Sequence, residues 1–194
     1  MDLIGKEGHF LLESGHHGER WFDLDTPFSR PATLQPAATE LARRLAPYRP
    51  TIVCGPLTGG AFLAQLVALA LGGEFVYTER TGIAEATGEL FSARYRLPAS
   101  LRASVRDARV ALVDDALNAG SALRATAAEL TAHGATLVAC GALLVLGHTG
   151  ADWVANQRLP LVALERHENT IWSPDDCPLC AAGIPLARPG ASPS

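Results

Sequence analysis

Lysine is almost missing from this chain: Lys6 is the only one among 194 residues, so any cationic contact elsewhere must come from arginine or histidine. Basic side chains number 16 against 20 acidic ones, a net charge of −4, and the arginines are scattered rather than striped. That balance excludes the basic footprint of a nucleic-acid-binding surface. No apolar run is long enough to span a bilayer, which takes about 20 residues; the longest stretches cover 61–71 and 135–146. The start lacks the charged-then-apolar layout of an export signal, so a soluble cytoplasmic protein with no membrane partner is expected. Both G-x-G-x-x-G and G-K-[ST] are absent, which argues against a dinucleotide fold and a P-loop. Cysteine is scarce. Cys54 and Cys140 sit in apolar strand-like runs, where the residue behaves as a small core side chain. Cys177 and Cys180 form one C-x-x-C, two ligands where zinc needs four, so metal binding there would require a partner chain or distant residues, and a redox-neutral surface turn is the expectation placed first. His16 and His17 are read as turn residues for the same reason.

What is present centres on residues 109–122. The run 110–113 is aliphatic and too short for a helix; two carboxylates follow, Asp114 and Asp115, then the small residues Asn118, Ala119, Gly120, Ser121 and Ala122, and apolar residues resume at helical spacing from Leu123. Strand, loop and helix are predicted, with 118–122 at the helix N-terminus. Free N–H groups and the positive end of the helix dipole make such a place an anion site, and a glycine lets phosphate approach the backbone. Carboxylates beside a phosphate cradle are unfavourable unless the ligand also offers hydroxyls, as a ribose 5-phosphate does. The plainer alternative, an Asp-rich turn capping a helix, needs one Asp and no glycine.

This stretch resembles the phosphoribosyl-diphosphate (PRPP) signature of type I phosphoribosyltransferases. A second glycine-rich turn, 55–60, lies between the predicted strand 51–54 and helix 61–71. The passage 8–23 is similar to the N-terminal segment of orotate phosphoribosyltransferases, in which a Ser-Gly turn precedes a pair of aromatic residues, here Trp21 and Phe22. The tail from Cys177 to Leu186 resembles the C-terminus of bacterial orotate-type members. Hood, two loops and tail thus occur in family order.

The resemblance implies an enzyme that moves the ribose 5-phosphate of magnesium-bound PRPP onto a nucleobase and releases diphosphate, with orotate the first candidate. Asp114 and Asp115 would hold the ribose hydroxyls, residues 118–122 the 5-phosphate, and Thr58, Gly59 and Gly60 the diphosphate. Trp21 and Phe22 would cover the base, although strand neighbours point to opposite faces and one of them equally suits a core position. The family's mobile loop, at 80–98 here, carries lysines and a histidine; Arg80, Arg94 and Arg96 stand in their place, with Arg80 and Arg94 the expected diphosphate contacts. An arginine expected after the strand at 136–146 is replaced by Gly147-His148, which makes His148 a candidate base contact, and Glu13 stands where some members have lysine. Magnesium is the implied cofactor and a homodimer the implied assembly. A PRPP-binding regulator without turnover, and a transferase for a purine, remain open.

The alternation of strands and helices predicts an α/β fold, a mostly parallel sheet with helices on both faces, preceded by a small hood at residues 1–30. Within it, strands at 10–12 and 21–23, a helix from an N-cap at Thr33 to about Leu45, a strand at 75–78, and strands at 136–146 and 161–165 are expected. One domain spans 1–194, with a disordered tail at 187–194.

Overall fold

A computed structural model describes residues 4–12, 14–81 and 94–188. In chain order the elements are β1 (Ile4–Leu11), β2 (His17–Asp23), α1 (Asp25–Phe28), α2 (Pro31–Leu45), β3 (Ile52–Pro56), α3 (Gly59–Leu71), β4 (Glu74–Arg80), β5 (Tyr95–Arg96), β6 (Arg109–Leu117), α4 (Ser121–Ala132), β7 (Thr136–Leu146), α5 (Thr149–Asn156), β8 (Leu161–His167), β9 (Ile171–Trp172) and α6 (Pro178–Ala181). Six strands form the main sheet in the order β5-β4-β3-β6-β7-β8; all neighbours are parallel except the edge pair of β4 with β5. Among the described residues no helix is long and apolar enough to cross a membrane.

The unbroken aliphatic run of β6 follows from cover on both faces. Val110 and Leu112 join a core with Leu123 and Leu130 of α4 and Val154 of α5, whereas Ala111 and Val113 face Leu41 and Leu45 of α2 and Leu63 and Val67 of α3. Successive strand residues point to opposite faces, so a strand clad twice has no polar side to show. Each such aliphatic side chain removed from water contributes about 1.5–3 kcal/mol. Cys54 and Cys140 sit one in each neighbouring strand of the first of these cores. Burial pushes both thiols up, Cys140 to about 12, which keeps them neutral and unreactive, as expected for core positions.

Helix α2 begins earlier than its sequence suggests. Arg30, not Thr33, is the N-cap; Pro31 fills the first turn, where its missing N–H costs nothing, and the Thr33 hydroxyl donates to the Arg30 carbonyl at 2.8 Å. Leu34, Ala38, Leu41, Ala42 and Leu45 are the stripe it buries.

The hood is larger than a hairpin. β1 and β2 pair antiparallel, and β9, from the C-terminal part of the chain, adds a third strand through His17–Trp172 and Gly18–Ile171. The chain then returns across β1, with Ala187 N donating to His9 O (2.8 Å) and Leu11 N to Ala187 O (2.9 Å). Ala187 is therefore held, and the rest of the expected tail from 189 lies outside the described residues.

Candidate active site

The winding of the sheet decides where a ligand can sit. β3 is followed by β4 on one side, β6 by β7 on the other, and the two are adjacent. Helix α3, after β3, packs on one face and α4, after β6, on the other. Their loops part at this switch point and open a crevice at the carboxyl ends of the strands, the usual ligand site of such sheets.

Both glycine-rich loops meet there. A β-carbon on Gly59 would collide with the Asp115 carboxylate, and one on Gly60 would lie 2.6 Å from Asp114 Oδ1. The acidic pair is thus set against the turn that starts α3. Its own backbone orients it: Asp115 N donates to Asp114 Oδ1 (3.1 Å) and Ala116 N to Asp115 Oδ1 (2.8 Å). Asp114 is buried and Asp115 half-buried. Past them Gly120, at φ 78°, is the residue before α4, so the chain turns into the helix through a left-handed conformation, and the amides of Ser121 and Ala122 fall in the first turn, where an α-helix supplies no partner of its own. The loop is braced from behind, since Gly150 N of α5 donates to Asn118 O at 2.8 Å.

A cleft of about 330 Å³ joins this loop to the hood. Leu11, Leu12, Ser14, Arg20, Trp21, Phe22 and Leu24 line it on one side; Asp114, Ala116, Asn118, Ala119, Gly120, Ser121 and Ala122 line it on the other, with Leu146 beneath. The expected aromatic pair and the expected phosphate loop therefore share one cavity. Both aromatics are half-buried, Trp21 with Lys6 Nζ 5.5 Å from its ring and Phe22 with the His167 ring at 5.6 Å.

Several expected contacts fall elsewhere. Thr58 is exposed at the N-cap of α3, beside the acidic pair but outside the cleft. His148 is solvent-exposed at the start of α5, where its carbonyl accepts Asp152 N at 2.7 Å; it does not line the cleft, because α5 begins immediately and turns it outward. Arg80 and Arg94 are exposed at the carboxyl end of β4, either side of residues 82–93, on which the mobile-loop expectation falls and which lie outside the described residues. Glu13 lies outside them as well. Arg96 is committed to structure: its guanidinium binds buried Glu129 at 2.9 Å, and Leu97 N donates to the same carboxylate at 3.1 Å.

Three residues were undervalued by their sequence context. Arg20 lines the cleft next to Trp21, with its guanidinium reaching Glu7 Oε1 (3.2 Å) and the Glu168 carbonyl (3.4 Å). Its adjacency to the aromatic pair was the only available signal. His17, read as turn-exposed, is buried with 6% of its surface exposed, and Cys177, read as part of a surface turn, with 3%. His16 remains half-buried; burial first, and then the Arg124 charge, hold its imidazole below the ordinary pKa.

Comparisons with known proteins bear on the family and the fold. The family model of the phosphoribosyl transferase domain matches residues 34–180. The orotate phosphoribosyltransferase of Thermotoga maritima is 29% identical over 186 residues, 95% of this chain and 91% of that one. Among solved structures, orotate phosphoribosyltransferase from Aeropyrum pernix is similar with a TM-score of 0.62 at 20% identity, over 84% of this chain and 87% of that one. Adenine phosphoribosyltransferase from Thermoanaerobacter pseudethanolicus gives 0.61 at 20%, over 76% and 88%. The two structural likenesses speak to the fold, which pyrimidine and purine enzymes share.

Proposed function

The chain belongs to the phosphoribosyl transferase domain family, and from that premise we propose that it joins orotate to the ribose 5-phosphate of PRPP, releasing diphosphate and forming orotidine 5′-phosphate. One observation carries the reading: Trp21, Phe22 and Arg20 face the same cleft as Asp114 and the loop 118–122. A base held between ring faces and a ribose phosphate held by backbone amides would then be adjacent parts of one bound molecule.

In this scheme the amides of Gly120, Ser121 and Ala122, with Asn118 and Ala119 shaping the turn, hold the 5-phosphate. Asp114 and Asp115 accept hydrogen bonds from the ribose hydroxyls, and their charge favours the positive character that grows on the sugar as C1 loses diphosphate. Thr58, Gly59 and Gly60 offer the departing diphosphate the N-terminus of α3, and Arg80 and Arg94, exposed at the carboxyl end of the neighbouring β4, are its further contacts. Magnesium is a hard ion that takes oxygen ligands, and the two carboxylates against the Gly59–Gly60 turn fit that donor chemistry; bound with PRPP it would neutralise diphosphate charge. A base nitrogen attacks C1, so no side-chain nucleophile is needed, and alignment of the two substrates supplies the main acceleration.

Orotate is favoured over other bases by two supports: the name of the Thermotoga relative and the place of Arg20. A carboxylate on a planar ring needs a stacking surface and a cation. The exposed Glu7 partner holds Arg20 weakly, as surface ion pairs contribute only about 0–1 kcal/mol, so the guanidinium is able to exchange it for substrate. Arg20→Gln is expected to raise KM for orotate about tenfold or more, the loss of one charge-assisted hydrogen bond, with KM for PRPP little changed. An unchanged KM for orotate would remove Arg20 from the base site.

The reading is tested by diphosphate release from magnesium-PRPP with orotate, uracil, adenine, guanine and hypoxanthine in parallel. Orotate should be the fastest. Brisk use of a purine with orotate inert would overturn the pyrimidine assignment, and PRPP binding without turnover on any base would make the protein a regulator.

A further inference from the structure

Four side chains far apart in sequence converge beneath the hood: His9 on β1, His17 on β2, and Cys177 and Cys180 at the start of α6. His9 Nε2 lies 3.0 Å from His17 Nδ1, 3.4 Å from Cys177 Sγ and 3.8 Å from Cys180 Sγ, and Cys180 Sγ lies 3.3 Å from His17 Nδ1. All four ligand atoms fall within 4.8 Å of one another. From these distances we infer that the chain binds one zinc ion in a closed Cys2His2 site that fastens its C-terminal segment to the hood.

Three observations carry this. The first is size. At usual zinc bond lengths a tetrahedron has edges of about 3.3 Å between nitrogens, about 3.6 Å from nitrogen to sulfur and about 3.8 Å between sulfurs. The four separations given above, 3.0 to 3.8 Å, lie near those values, and no two of the ligand atoms are more than 4.8 Å apart. The second is the tautomer. His9 Nδ1 lies 2.8 Å from the carbonyl oxygen of Ile184, which can only accept, so Nδ1 carries the proton and Nε2 turns a lone pair toward the other three groups. A histidine fixed through its far nitrogen by a backbone carbonyl is the usual support of a metal-bound imidazole. The third is cover. His9, His17 and Cys177 are 3%, 6% and 3% exposed, and Cys180 alone reaches solvent. Two thiolates with two imidazoles select zinc over the oxygen-preferring ions, and a full set of four protein ligands leaves no open position, so the ion is structural.

The ion would close a very long loop, since His9 and Cys177 are 168 positions apart. Around it lie the β2–β9 pairing at His17 and the Ala187 strap over His9, and the clip holds them together across a loop whose closure chain entropy opposes.

The test begins with metal analysis of the full chain, purified with reductant and without chelator. About one zinc per chain is expected, lost in Cys177→Ser and in His9→Gln but kept in His16→Gln, whose imidazole is outside the set. Where a variant fails to fold, cobalt replaces zinc in the wild-type chain: intense visible bands of tetrahedral cobalt with sulfur-to-cobalt charge transfer support the site. Chelation should speed hydrogen exchange in β1 and β2 while β6 and β7 keep their protection. A wild-type chain that neither contains zinc nor takes up added Zn2+, cobalt bands of octahedral type, or a Cys177–Cys180 disulfide in the protein as isolated under reductant would each overturn the inference.

Discussion

Asp114→Asn combined with Asp115→Asn is expected to lower turnover on PRPP by roughly a hundredfold to ten-thousandfold, two charge-assisted hydrogen bonds at about 1.5–3 kcal/mol each, while the fold remains intact. The fold should survive because the apolar core around β6 is untouched, and the backbone amides of Asp115 and Ala116, which donate to these carboxylates, can donate equally to the amide oxygen of asparagine. What asparagine lacks is charge. The pair stands against the Gly59–Gly60 turn, where it would meet both the ribose and the growing positive character at C1. Calorimetry should show weakened magnesium-PRPP binding, and diphosphate release should fall further than binding if charge on the transition state matters. Equal PRPP binding by the double variant would separate these carboxylates from the ribose.

The second large effect is expected at Gly120. Its φ of 78° is one that β-branched residues resist, and a side chain there would stand 3.1 Å from Leu117 Cδ1 and 3.5 Å from Gly150 Cα. Gly120→Val should therefore distort the turn into α4 and abolish binding of ribose 5-phosphate. Ser121→Ala removes one hydroxyl and leaves the amides, so about 1 kcal/mol, a fewfold loss in affinity, is expected. Circular dichroism of both variants should show that the sheet persists. If Ser121→Ala proved the more damaging, the phosphate would be held by side chains and not by the backbone.

The extent of β7, Thr136–Leu146, agrees with the strand expected over 136–146, and the loop at 118–122 lies where its residue types imply. Both are local signals: a doubly covered strand must be aliphatic throughout, and a backbone cradle must be small. Boundaries set by hydrogen bonding shifted, as in α2, where proline at the first helical position outranked a threonine cap. What could not be read depends on contacts between distant parts of the chain. β9 has two residues and no periodicity; it exists because β2 has a free edge. His17 looked like a turn residue and Cys177-Cys180 like half of a site because the other half is far away in the sequence, brought near by the closing of the hood. Arg20 likewise carried no motif of its own. His148 was placed by analogy of position, and the immediate start of α5 turns it to solvent.

Titration with orotidine 5′-phosphate, ribose 5-phosphate and orotate separately tests most directly the claim that one cleft seats base and ribose phosphate side by side. The nucleotide should bind much more tightly than either fragment, because it alone spans from Trp21 and Phe22 to the loop 118–122; Phe22→Ala should weaken the nucleotide and orotate and leave ribose 5-phosphate unchanged. A nucleotide that bound no better than ribose 5-phosphate, and was indifferent to Phe22, would contradict the account.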